Sequence, residues 1–150
     1  MLANAKAVLD LHNIDLIEVS RETFTDTDEI FRFRTLAVDQ NVATDDQAEL
    51  FNVRGDAEPN DLVIYFVRTL VPTQAGCAVH PPDKPGAIIA ASFANEWTLA
   101  HQLGHLLGLD HVDDVNRLMT ARSTSTIEAD VPEIVDSEVE TILASPFMQV

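Results

Sequence analysis

A chain of 150 residues that is 46% hydrophobic reads as one globular domain with a sizeable core and argues against disorder. Nine basic residues against 25 acidic ones give a formal net charge of −16, which argues against nucleic acid as a partner because a phosphate backbone would be repelled. No apolar run approaches the roughly 18 residues of a membrane span, and the single cysteine, Cys77, leaves no intrachain disulfide to form.

Residues 2–12 read as a helix, with Leu2, Ala5, Val8 and Leu9 on one stripe. That apolar stretch is too short and broken for a secretory signal, so this is either a mature or trimmed domain or a protein that stays in the cell, and the lone cysteine favours a cytoplasmic setting. Residues 14–19 read as a strand. From 23 to 41 the apolar residues Phe24, Ile30, Phe31, Phe33 and Leu36 follow neither period. A short helix with acids in its first turn is expected at 45–51, then a turn at 54–60 marked by Gly55 and Pro59. Residues 61–67 form the strongest strand signal, β-branched and aromatic, and expected to be buried on both faces.

Residues 71–85 are loop-rich and proline-punctuated, with a short edge strand at 76–79. Another strand follows at 86–92. Asn95 is placed to cap a helix running to about Leu107. Residues 122–130 are polar and irregular. Ser137 to Glu140 resembles a capping box, with Pro132 as an alternative helix start, and the last helix should end near Ser145, before Pro146. No internal repeat or linker interrupts residues 1–150.

The chemistry concentrates in one stretch, Trp97-Thr-Leu-Ala-His-Gln-Leu-Gly-His-Leu-Leu-Gly-Leu-Asp-His111. His101 and His105 are four apart, so a helix puts both imidazoles on one face. Gly108 can end that helix by taking the positive φ that turns the chain away. His111 can then return as a third nitrogen ligand. Three protein ligands with an open fourth position suit a catalytic zinc ion rather than a structural one, although other divalent ions also accept imidazoles. A lone histidine is usually structural. Here three of the five histidines fall at ligand spacing, while His12 and His80 have no partner at such spacing.

This stretch resembles the metzincin signature H-E-x-x-H-x-x-G-x-x-H, and Met119, eight residues after His111, matches the methionine turn at a matrixin-like distance. Val112, Thr120 and Ala121 differ from the usual matrixin neighbours, so the resemblance is to the superfamily. It implies an α+β zincin of metzincin type. A twisted mixed sheet and the active-site helix would form an upper subdomain, about 1–108, and the methionine turn and C-terminal helix a small lower one, about 109–150. It also implies one zinc ion held by His101, His105 and His111, and a protein or peptide substrate paired along the edge strand at 76–79. Met119 would pack beneath the histidines without being a ligand. Residues 120–131 would hold the specificity wall.

Gln102 departs from the signature at the position of the general-base glutamate. A carboxamide matches glutamate in shape but cannot take a proton, so the implied activity is that of a zinc-dependent endopeptidase in a disabled form. The alternative is a natural pseudopeptidase that binds zinc and a peptide without cleavage. Glu96, one helical turn before Ala100, is misplaced to replace the base. Asp110 could orient a ligand but reads more simply as an exposed loop acid. Cys77 reads as a buried small residue, not a thiolate plug. Between Asp110 and Glu140 nine acids face only Arg117 and Arg122. That is either a solvated surface or a cleft suited to basic substrates.

Overall fold

The structure, a computed structural model, describes residues 1–149. The chain folds into two compact units, one of Glu18–Ala94 and one that joins Met1–Ile17 to the stretch from Asn95 onward. It is α+β, as expected.

In the unit Glu18–Ala94, a 3₁₀ turn at Glu29–Arg34 leads into β1 (Thr35–Ala37), followed by α2 (Asp45–Leu50), β2 (Val63–Val67), β3 (Thr69–Val71), β4 (Gly76–Cys77) and β5 (Gly86–Ala90). β1 pairs in parallel with β3, so Leu36 and Leu70, both buried, stand opposite each other. A second sheet has the order β2-β5-β4, with β2 parallel and β4 antiparallel to β5. The central strand β5 is buried along its whole length, as an apolar run covered on both faces must be.

β2 departs from the expectation. Tyr65 and Val67 point inward, but Phe66 is 56% exposed, so the strand alternates and only one face is buried. The edge strand is also shorter than expected. Its ladder covers only Gly76 and Cys77, while the carbonyl of Val79 accepts from Gln47 Nε2 at 3.5 Å. Gln47 is fully buried and closes a capping box with Thr44 at the start of α2.

In the other unit, α1 (Leu2–Asp10) buries Ala5, Val8 and Leu9 and packs against α3 (Thr98–Leu106). Residues 14–19 do not form a strand. Ile14 is buried, but Ile17 and Val19 are 74% and 68% exposed, so the alternation there has no sheet to serve. The polar stretch 122–130 contains a short 3₁₀ turn, Thr124–Thr126.

The C-terminal helix α4 spans Asp136–Leu143. Its start lies two residues before the expected box, with Val135 rather than Ser137 at the N-cap. Glu138, not Glu140, accepts the backbone N–H of Val135 at 3.1 Å, and valine offers no acceptor in return. Among the described residues no helix is long and apolar enough to cross a membrane.

Candidate metal centre

The site is built on α3, whose sequence buries almost every side. Leu99, Leu103 and Leu106 enter the core, and His101 and Gln102 are buried with them, at 6% and 7% exposed. The helix starts at Thr98. Asn95 does not cap it directly. Its carboxamide oxygen accepts from the Trp97 N–H and from the hydroxyls of Thr98 and Thr124, fixing the turn that delivers the chain to the helix.

The helix ends where Gly108 requires it. Gly108 has φ +99°, its N–H donates to His105 O at 3.1 Å, and the Leu109 N–H reaches Gly104 O at 2.9 Å. This pair of bonds is a Schellman motif, which satisfies carbonyls that a helix end would leave orphaned. The motif also turns the Leu109 carbonyl toward His105, whose Nδ1 lies 3.0 Å away.

The chain then passes His111 and is tied to the segment around Met119. Val112 N–H donates to Met119 O, and Ala121 N–H donates to Val112 O, each at 2.9 Å. Met119 is fully buried. Its neighbour Leu118 presents a carbonyl 2.7 Å from Nδ1 of His101.

These contacts assign the tautomers. Nδ1 of His101 and of His105 each faces a carbonyl oxygen, so each carries the proton and donates it, leaving Nε2 with a free lone pair. The Nε2 atoms converge. Nε2 of His111 is 3.2 Å from that of His101 and 3.0 Å from that of His105. A proton on Nε2 of His111 can serve only one of these two lone pairs well, whereas a shared cation would accept all three nitrogens at once. Tetrahedral ligands at about 2.0–2.1 Å from zinc stand roughly 3.3 Å apart, and the spacing here fits a shared cation. This is the group of three metal-capable side chains found among the described residues.

Electrostatics agree with the geometry. Burial pushes His101 down to about 4, partly opposed by its hydrogen bond to Leu118, and the neighbouring histidines add to the lowering. Burial also lowers His105, against the pull of the Leu109 carbonyl. Both rings are thus held neutral near pH 7, the form in which imidazole binds a metal.

The remaining candidates separate cleanly. Asp110 and Glu96 are exposed, and the orienting acceptor for His105 is the Leu109 carbonyl rather than the Asp110 carboxylate. His12 and His80 lie outside the cluster, and His80 Nδ1 faces the Pro81 carbonyl at 2.7 Å. Cys77 is buried, its thiol is raised by burial, and its sulfur lies between Gln47 Nε2 and Asp39 O. It is no thiolate plug. Gln102 makes no side-chain hydrogen bond among the described residues.

Sequence reasoning missed Gly104. A methyl group there would lie 2.4 Å from Met119 Sδ, so the absent side chain lets the helix backbone rest on that sulfur. It also missed the two carbonyl acceptors, because every residue has one and no residue type announces it.

A family model described as Matrixin matches residues 16–143. No curated protein and no solved structure matches the chain.

Proposed function

The chain belongs to the matrixin family of peptidases, and on that premise we propose that His101, His105 and His111 hold one zinc ion in a metalloendopeptidase site that Gln102 has disabled. The observation that carries the reading is the convergence of three Nε2 atoms, two of them on rings whose Nδ1 faces a backbone carbonyl.

Bound zinc would supply Lewis acidity, polarising a carbonyl and providing a water acidic enough to ionise near neutral pH. The chain's own residues do the rest. The carbonyls of Leu118 and Leu109 hold the first two imidazoles in the ligating tautomer and orientation, the support that metal-binding histidines usually have. Met119 fills the space behind them. Gln102 occupies the position where the family carries a glutamate that moves a proton from water to the departing amine. A neutral carboxamide has hydrogen-bonding atoms but no basic site at neutral pH, so that transfer is lost while pocket shape is kept.

The substrate class is protein or peptide, and a basic one suits the surface. Of the nine acids between Asp110 and Glu140, all except Glu138 are exposed. Gln102 also supports a second reading, a natural pseudopeptidase that captures a peptide without cutting it. The metal assignment is tested by zinc stoichiometry. About one equivalent per chain is expected for the unaltered protein and none for His105→Ala; unchanged metal content in that variant would place the ion elsewhere.

A further inference from the structure

The carbonyl that orients His101 belongs to a segment with its own anchor. Arg117 Nη2 lies 2.8 Å from Glu138 Oε2, and the two side chains are only 16% and 12% exposed. The other ion pairs among the described residues are far more exposed. Exposed pairs contribute little, whereas breaking a buried one strands a charge away from water. Arg117 has a stake in this pair, since its Nε is buried without a hydrogen-bond acceptor among the described residues. Glu138 is fixed in turn at the first turn of α4, where the same oxygen accepts the Val135 N–H.

The backbone around Arg117 is held on the same side. Leu118 N–H donates to Glu133 O and Glu133 N–H donates to Asn116 O, each at 3.0 Å. One residue beyond Arg117, the Leu118 carbonyl meets His101. One further on, Met119 O receives the Val112 N–H, next to His111. The ion pair thus anchors a strip of backbone that bears on two of the three histidines.

We propose that Arg117 and Glu138 are positioning residues for the metal site, setting its affinity for a divalent cation by fixing the Leu118 carbonyl against His101. The proposal rests on the zinc reading above. A purely structural ion pair would stabilise α4 and leave metal affinity alone, and that difference can be measured.

Zinc affinity is measured by competition with a chromophoric chelator, and the visible spectrum of the cobalt(II) form is recorded. Both are done at a temperature where circular dichroism shows each variant fully folded. Glu138→Gln removes the charge but keeps an acceptor for Val135. The double variant Arg117→Gln with Glu138→Gln leaves no buried charge unpaired and serves if the single variant fails to fold. Ile142→Val, in the buried face of α4, lowers stability without touching the pair.

Zinc binding about 10-fold weaker, or more, with altered cobalt bands is expected for both charge-removing variants. Ile142→Val should bind as the unaltered protein does. Unaltered affinity and spectrum in the folded charge-removing variants would overturn the proposal and leave the pair a structural one. If the unaltered protein binds neither zinc nor cobalt, the metal reading itself fails and the proposal falls with it.

Discussion

Gly104 and Met119 are in direct contact beneath the histidine cluster: a methyl group on Gly104 would stand 2.4 Å from Met119 Sδ and 3.2 Å from its Cε. Gly104 is buried and Met119 fully so, and Met119 can clear a methyl group there only by repacking within the core. Gly104 precedes His105, and Met119 follows the carbonyl that orients His101. The contact therefore sets the distance between the helix carrying two histidines and the turn that supports them.

Gly104→Ala puts two effects in opposition. Alanine favours a helix interior over glycine by about 1 kcal/mol, while overpacking a filled core costs about 1–3 kcal/mol. With Met119 enclosed, the steric term should win. A net loss on the order of 1 kcal/mol is expected in urea unfolding, together with weaker zinc binding because His105 is the next residue. Equal or greater stability with unchanged zinc affinity would show that Met119 repacks freely.

The buried histidines give the metal-free protein a pH dependence with a defined sign. Burial holds His101 at about 4 in the fold, below the ordinary imidazole value of about 6.5, and lowers His105 as well. Between those values the unfolded chain binds more protons, so stability falls as pH falls through that window. With chelator present, a loss on the order of 1–3 kcal/mol between pH 7 and pH 4 is expected from His101. His101→Asn should flatten the profile of urea midpoint against pH; a profile equally steep in that variant would assign the effect to other groups.

Zinc should stabilise the fold by mass action. Free zinc at about 100 times Kd contributes about 2.7 kcal/mol, and each kcal/mol raises the melting temperature of a chain this size by about 2–4 °C. Calorimetry with and without chelator should show a rise of several degrees in the unaltered protein and none in His105→Ala. A melting temperature indifferent to zinc would argue against binding to the folded state.

The parts legible in the sequence were those fixed by spacing. His101 and His105 had to share a helix face, and Gly108 had to end that helix, so a convergence with His111 could be anticipated from residue types alone. The final helix and strand β5 were legible for similar reasons of periodicity and punctuation. Interactions through backbone atoms were not. The carbonyls of Leu109 and Leu118 carry no side-chain signature, and the Gly104–Met119 contact appears only when two distant segments meet. The same limit explains the strand expected at 14–19. Alternation around Ile17 and Val19 is a local property, while a strand needs a partner. Phe66, read as buried for its apolarity, is exposed because only one face of β2 is covered.

Placing a carboxylate at position 102 tests the central claim most directly. Gln102→Glu replaces one buried side chain with a near-isostere and adds the missing proton acceptor; such groups contribute about 10²- to 10⁴-fold in rate. The variant and the unaltered protein would be incubated, zinc-loaded, with a diverse peptide library that includes basic sequences, and new termini identified by mass spectrometry. The expected result is cleavage by Gln102→Glu alone, abolished by chelation and restored by zinc. Silence across the library from a folded, zinc-bound Gln102→Glu protein would contradict the disabled-peptidase account and favour a pseudopeptidase.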